Sequence, residues 1–260
     1  MSLARRRRGS LAAGAAARAR TRVTTLLADA PTLSFQDRAG IAAREIAGEV
    51  MAAAPRPSDL VALAAEAASL AESLAEEGRK MAPPARPIAC RAGCSHCCHL
   101  SVQAAPAEVL RLAQHIRDRF SSAERASLLE RLRQAAAMTK DARLAAASPC
   151  PLLKDARCTV YEARPLSCRG LESMDADACR RASQGENVRP PVYAMRWAIF
   201  NRVASGLIAG TADAGRERES LDLSPALVTA LEEPDAARRW LAGEPLFARC
   251  RWPTAQPPTT

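Results

Sequence analysis

The chain has 260 residues, of which 48% are hydrophobic and 25% charged, proportions that are typical of a folded globular protein and argue against bulk disorder. This length favours one core that carries extensions. Aromatic residues make up only 3% of the chain, whereas alanine supplies about a fifth of it. This composition argues against an all-β barrel or sandwich and predicts a mainly α protein.

The net charge of +9 is concentrated at the N-terminus. Residues 1–28 contain seven arginines and no acidic residue, so the remainder of the chain carries only +2. A body this close to neutral is not a basic nucleic-acid-binding domain, and we expect no nucleic-acid partner. We interpret residues 1–30 as a disordered Arg-rich tail; an arm that binds nucleic acid or a membrane is the alternative.

Nothing in the sequence predicts export or membrane insertion. The one candidate for a secretory signal, Leu11 to Ala17, is followed at once by Arg18 and then by further arginines, which does not suit such a signal. No stretch approaches the roughly 18 apolar residues that a membrane span requires. We therefore predict a cytoplasmic protein without a membrane span; in a eukaryote, an organellar transit peptide would be the alternative interpretation of the Arg-rich start.

Two helices are predicted ahead of the cysteines. Apolar residues at near-helical spacing indicate a helix within residues 34–54, which ends before Pro55. A second helix is expected to begin at an N-cap, Ser58, and to continue to Met81. Its apolar stripe, which we expect in the core, consists of Leu60, Leu63, Ala67, Leu70, Leu74 and Met81.

Further helices are predicted on both sides of an irregular segment. Pro106 suits the first residue of a helix that runs to about Phe120, and Ser121 with Glu124 has the spacing of a capping box for the next helix. Residues 150–179 contain few periodic apolar positions and are expected to be irregular.

The C-terminal third is expected to complete the core. A strongly apolar run from Val192 to Ile208 predicts a core helix, and shorter helices follow near Pro225–Leu231 and Asp235–Leu241. We predict a single helical domain over residues 34–250 and a flexible C-terminus at 251–260.

Eight of the nine cysteines fall between positions 90 and 179, in two groups. Such local density indicates either a metal site or a disulfide framework. In a reducing cytoplasm clustered thiolates usually hold metal, and we favour that interpretation. The first group is Cys90, Cys94, Cys97 and Cys98, and the second is Cys150, Cys158, Cys168 and Cys179.

The spacing within the first group limits how it can bind. In a helix its four thiols would share one face but spread over about 12 Å of axis, too far for a single ion. Two metals, a cluster or a bent loop is therefore needed, and Gly93 favours the loop. Because Cys97 and Cys98 are adjacent, one of them could bridge, bind a second centre or remain free.

The histidines and the last cysteine can serve roles other than metal binding. His96 and His99 are candidate ligands or partners of ligands, but eight cysteines already suffice for two four-coordinate centres. We interpret His115 as a half-buried helix residue and Cys250 as a structural or free thiol.

Other side chains close to the cysteines could adjust a metal centre. Arg91, Arg164 and Arg169 could neutralise its negative charge or donate hydrogen bonds to sulfur, the alternative being that they are solvated. Tyr161 is expected to pack its ring beneath the site, and Pro165 to fix a turn that delivers Cys168.

The combined pattern resembles a known family. Cys90-x3-Cys94-x2-Cys97-Cys98, then Cys150-Pro-Leu, then Cys158-Thr-Val-Tyr-Glu-Ala-Arg-Pro-Leu-Ser-Cys168-Arg is similar to the YkgJ-type cysteine-cluster family, described as a zinc- or iron-chelating domain. The resemblance spans residues 90–179. It implies that these thiolates chelate metal, with zinc and an iron–sulfur cluster both open, and some members look like flagellin lysine N-methylases.

Three functions remain open at this point. The leading one is a metal-chelating protein that binds an iron–sulfur cluster or zinc through both thiol groups and serves electron transfer with a redox partner or another protein partner. The alternatives are a purely structural zinc module and a SAM-dependent protein lysine N-methylase. The spacing Cys90-x3-Cys94-x2-Cys97 also matches the radical SAM signature, but the sequence predicts neither that family's partial βα barrel nor a glycine-rich SAM loop. The predicted fold is a helical domain packed around an irregular cysteine-rich metal-binding module.

Overall fold

A computed structural model describes residues 14, 15, 17, 18, 21, 25 and 33–252. Most of the predicted Arg-rich tail, residues 1–30, lies outside this part of the chain, and the predicted flexible C-terminus, residues 251–260, is described only at its first two positions. The described residues form ten α-helices, two short 3-10 helices and four strands of two residues each. The predicted mainly α fold is confirmed.

Three long helices form the first layer: α1 (Phe35–Ala52), α2 (Pro57–Met81) and α8 (Ala194–Asp213). Helix α8 packs against both others, and its contact with α1 is the most extensive in the fold. Small residues allow that contact, because a β-carbon on Gly206 would collide with the carbonyl of Gly40, and one on Gly210 with the carbonyl of Arg44.

The start of α2 differs from the prediction. Ser58 is not the N-cap; Arg56 is, and Pro57 is the first helical residue, a position that suits the fixed φ of proline. The carboxylate of Asp59 accepts the backbone N–H of Arg56 at 3.0 Å, so an acid in the first turn does the capping. Met81 also departs from the predicted buried stripe: it lies at the last position of α2 and is exposed.

The second layer is made by α3 (Pro106–Arg119), α4 (Ser122–Ala137) and α9 (Leu223–Glu232). Pro106 begins α3 as predicted, and the predicted capping box is present: Glu124 donates its N–H to the hydroxyl of Ser121 and accepts the N–H of Ser121. Helix α3 contacts α2, and α9 contacts both α3 and α4, which joins the two layers.

The cysteine segments carry the remaining short elements. These are the 3-10 helices His96–His99 and Tyr161–Ala163, helices α5 (Lys140–Ala145), α6 (Leu166–Arg169) and α7 (Ala176–Ser183), and strands β2 (Leu153–Lys154) and β3 (Arg157–Cys158). Strands β2 and β3 form an antiparallel hairpin in which Leu153 faces Cys158. The segment 150–179 is thus as irregular as predicted, apart from these single turns.

The C-terminal part closes the core behind the cysteines. Strand β1 (Gln103–Ala104) pairs antiparallel with β4 (Leu221–Asp222), which leads into α9, and α10 (Ala236–Leu241) follows. The largest fully buried side chains include Trp240, Phe200 and Phe247. Among the described residues, no helix combines the length and the apolar character needed to cross a membrane.

Candidate metal centre

Six cysteines surround one cavity of about 540 Å³. Three come from the first group and three from the second. We call this space the first cavity; its thiols belong to Cys94, Cys97, Cys98, Cys150, Cys158 and Cys168. All six cysteines are partly buried, and each is a free thiol. The structure therefore brings together two groups that are far apart in the sequence.

A tight loop and a 3-10 turn place the first group. Gly93 has a φ of +85°, a left-handed conformation that a residue with a side chain rarely adopts. It turns the chain into the 3-10 helix His96–His99, which holds Cys97 and Cys98. The backbone N–H of Cys150 then donates to the carbonyl of Cys98 at 2.6 Å. This bond fixes the start of the second group directly against the first.

A hairpin presents Cys158. The two residues of its turn, Asp155 and Ala156, have φ values of +50° and +58°, as in the type I′ turn that matches the twist of a two-stranded hairpin. Beyond the pair of Leu153 and Cys158, the N–H and hydroxyl of Thr159 both donate to the carbonyl of Leu152. The thiol of Cys158 is therefore held opposite the turn that begins at Cys150.

Cys168 sits in helix α6, whose position depends on a buried acid. Glu108, in the first turn of α3, accepts the backbone N–H of Leu166 at 2.6 Å and that of Ala105 at 2.8 Å. Pro165 is the N-cap of α6, and its carbonyl accepts the N–H of Cys168. Burial raises the pKa of the Glu108 carboxyl, and its backbone hydrogen bonds oppose that shift.

A second cavity of about 580 Å³ contains the two remaining cysteines, Cys90 and Cys179. Cys94 and Cys97 line it as well, so they stand between the two cavities, and His96 and His99 also line it. His99 lies with Nδ1 3.3 Å from the carbonyl oxygen of His96. Each cavity thus draws thiols from both cysteine groups.

Ser173 joins the cysteines of the second cavity. Its backbone N–H donates to the sulfur of Cys90 at 3.3 Å, and Ser173 lines the second cavity together with Cys179. Ser173 is itself buried and donates its hydroxyl to the carbonyl of Pro191 at 3.1 Å. Ser173 therefore anchors Cys90 at the cavity that also contains Cys179.

Six of the eight clustered thiols have raised pKa values, which favours their protonated form. Burial raises the pKa of Cys150 to about 11 and also raises the pKa of Cys168, Cys158, Cys90 and Cys179. The pKa of Cys97 is raised chiefly by a hydrogen bond with the neighbouring thiol of Cys98, and then by burial. Any metal must therefore displace protons when it binds.

Two of the three arginines predicted near the site lie beside thiols. Arg164 lines the first cavity and lowers the pKa of Cys97, Cys158 and Cys168, against the larger effects that raise them. Arg169 acts in the same direction on Cys158 and donates to the carbonyl of Arg164 at 2.9 Å. Arg91, in contrast, is exposed and is not among the residues that line either cavity.

The prediction for Tyr161 is wrong. Its side chain does not pack beneath the site but is 62% exposed at the edge of the first cavity, where the guanidinium of Arg164 stacks 3.7 Å from the centre of its ring. The ring stays exposed because it can make its cation–π contact with Arg164 without being buried. The buried tyrosine is Tyr193, which donates its hydroxyl to the carbonyl of Ala82.

Two other sequence predictions concern residues outside the cavities. Cys250 is a buried free thiol 3.5 Å from the hydroxyl of Thr229, and His115 is a half-buried residue of α3, both as predicted. Glu108 and Ser173 were not predicted. The position of Glu108, three residues after the N-cap of a helix that starts with proline, is a usable signal, whereas the sequence around Ser173 offers none.

No three Cys, His, Asp or Glu side chains within the described residues already stand as a metal-binding group. The cysteines share cavities, and their identity as metal ligands stays a prediction.

The comparison with protein families agrees with the predicted resemblance. The CxxCxxCC family, described as "putative zinc- or iron-chelating domain", matches residues 89–188, which include all eight cysteines of the two cavities. The family's name places two residues between its first two cysteines, whereas three separate Cys90 from Cys94 here, and one of them is Gly93 with its left-handed backbone. No match was found among curated proteins or among solved structures.

Proposed function

We propose that this protein chelates metal through thiolates of both cysteine groups and that the first cavity holds an iron–sulfur cluster. The observation that carries the proposal is that six cysteines from four chain segments line this cavity, while no Asp, Glu or His of the described chain does. Thiolates are the donors that iron–sulfur clusters and zinc prefer over carboxylates. The residues therefore fit such a centre in their chemistry.

The number of thiols suffices for two centres with four thiolates each. Four thiolates complete the tetrahedral shell of one zinc ion, and the first cavity offers six. Cys94 and Cys97 also line the second cavity, where Cys90 and Cys179 complete a set of four. Cys98, Cys150, Cys158 and Cys168 would then hold the centre in the first cavity, with the thiols rotating inward around it.

Charge in the surroundings supports a thiolate centre. A centre with four thiolates is negatively charged, and Arg164 lies at the cavity with Arg169 behind it. These guanidinium groups favour the deprotonated form of Cys158. When bound, an iron–sulfur cluster would supply one-electron transfer; the chain's own residues bind it, offset its charge and limit its exposure to water.

Electron transfer requires a partner that comes close to the centre. The first cavity is lined by the exposed side chains of Tyr161 and Trp197 and is open to the surface there. We propose a redox protein as the partner at this opening.

Elemental analysis and a visible absorption spectrum of anaerobically purified protein test the proposal. Iron and sulfide in the protein, with a colour that is lost in air, are the expected results. Stoichiometric zinc in a colourless protein that unfolds with a chelator would replace the cluster by a structural zinc module. Folded protein that contains neither iron nor zinc and takes up neither metal when it is added would overturn metal chelation itself.

A further inference from the structure

Exposed apolar side chains gather around the first cavity. Within the described part of the chain, four large hydrophobic side chains are exposed, and three of them, Leu100, Tyr161 and Trp197, line this cavity at 46%, 62% and 39% exposure. The fourth, Met81, lies at the end of α2. A single exposed apolar residue is ordinary, whereas several around one opening indicate a binding site.

The cavity also extends beyond its thiols. Between the exposed side chains and the cysteines, apolar residues line its wall: Val102, Leu152, Val160, Leu171 and Leu223. Its volume of about 540 Å³ lies within the range of about 300–1,000 Å³ that small-molecule sites occupy. An inorganic centre at the thiols would occupy only the inner part, so the outer part is open to an organic molecule.

The positive charge of the cavity wall favours a negatively charged molecule. Arg157 and Arg164 line the cavity, and none of the acidic residues that the structure describes lines it. Among the described residues neither arginine has a carboxylate within ion-pair distance, whereas Arg169 and Arg196 are both paired with Glu72. The Nε of Arg164 is buried and has no hydrogen-bond partner in the described structure. A buried donor of this kind calls for an acceptor.

We propose that the outer part of the first cavity binds a small organic anion that carries an aromatic or other planar apolar group and a carboxylate. The apolar group would lie against Trp197 and the stacked pair of Tyr161 and Arg164, and the carboxylate would be bound by the guanidinium groups of Arg157 and Arg164. The site goes beyond metal chelation, and its recognition residues include no cysteine.

Two fluorescent probes test this inference on the full-length protein: anilinonaphthalene sulfonate, an aromatic anion, and the uncharged N-phenyl-1-naphthylamine. We expect one saturable site that binds the anion at least about fivefold more tightly than the uncharged probe. Trp197→Ala should weaken binding of both probes by about tenfold. Arg157→Met and Arg164→Met should each weaken the anion alone and so reduce its preference.

Met81→Ala is the matched control, because it removes an exposed apolar side chain outside the cavity and should change neither affinity. The side chain of Arg157 is exposed and makes no hydrogen bond or ion pair with the described residues, so Arg157→Met keeps the test valid if Arg164→Met fails to fold. Equal affinity for the two probes in the wild type, or an equal effect of Met81→Ala and Trp197→Ala, would overturn the inference.

Metal analysis of the same samples separates this inference from the proposed function. Metal-free protein that still prefers the anion through Trp197 and Arg157 would support the organic site and contradict the metal centre. Metal-loaded protein that binds neither probe would support the metal centre and contradict the organic site.

Discussion

The backbone N–H of Cys150 donates a 2.6 Å hydrogen bond to the carbonyl of Cys98. The last cysteine of the first group thus touches the first cysteine of the second group, although helices α3, α4 and α5 lie between them in the sequence. This bond holds the turn that begins at Cys150 against the 3-10 helix that carries Cys97 and Cys98. The two groups therefore meet at the first cavity through their backbones.

Replacement of Glu108 by alanine should destabilise the protein by about 2–5 kcal/mol. The change leaves the backbone N–H groups of Ala105 and Leu166 buried without acceptors, at about 1–3 kcal/mol each. Urea unfolding measures the free energy. Glu124→Ala is the control: Glu124 accepts the N–H of Ser121 in the same way but at an exposed site, where water replaces it, and should cost less than about 1 kcal/mol. Equal losses for the two variants would remove the structural role of Glu108.

The close contact of α1 and α8 should tolerate no added methyl group. In Gly210→Ala the new β-carbon meets the carbonyl of Arg44 and the side chain of Ala47, and we expect a loss of about 1–3 kcal/mol or more from overpacking. Gly48→Ala lies on the same α1, but its new β-carbon meets no described atom within 4 Å; it should gain about 0.5–1 kcal/mol because alanine favours the helix. Thermal unfolding of the two variants measures whether each one loses or gains stability. A stabilising Gly210→Ala would show that α1 and α8 are farther apart than in the structure.

Metal affinity should rise steadily with pH. Burial raises the pKa of Cys150 to about 11 and raises the pKa of the neighbouring thiols, so the metal-free thiols are protonated at neutral pH and a metal must displace their protons. We expect the affinity for zinc to increase by about tenfold per pH unit for each thiol that ionises. Calorimetric titrations between pH 6.5 and 8.5 in buffers of different ionisation enthalpy measure the affinity and the released protons.

The metal-free protein should show the opposite pH dependence of stability. A thiol whose folded pKa lies above its ordinary value near 9 stabilises the fold below that value and loses this contribution as the pH rises towards 11. Metal-free protein should therefore become less stable from pH 9 upward, while metal binding still strengthens. In the zinc titrations, an affinity that is constant above pH 7, without proton release, would contradict the claim that the buried thiols are protonated before the metal binds.

The sequence alone predicted the helices better than the details of the site. Pro106 and the pair Ser121 and Glu124 carry local signals for a helix start, and both signals hold in the structure. The prediction of Ser58 as the N-cap of α2 was wrong. Pro57 takes the first helical position, and the carboxylate of Asp59 caps the backbone N–H of Arg56. Local sequence rules thus suffice to predict a helix start when the residues that cap it are neighbours in the sequence.

The arrangement of the site depends on tertiary contacts that local rules do not describe. The spacing of the cysteines predicted their two groups but not their division between two cavities. That division depends on the hydrogen bond between Cys150 and Cys98 and on the hydrogen bond that anchors Cys90 on Ser173. The exposure of Tyr161 follows from its contact with Arg164. Such contacts join distant segments and leave no periodic pattern in the sequence.

The most direct test of the convergence of both cysteine groups on one metal centre is the metal content of Cys158→Ser/Cys168→Ser, compared with the wild type and with Cys250→Ser. All three are purified anaerobically and analysed for iron, sulfide and zinc per chain. We expect the double variant to lose the metal of the first cavity, although the first group is intact, and Cys250→Ser, which changes a thiol outside both cavities, to keep the wild-type content. Full metal content in a folded double variant would contradict binding by both groups.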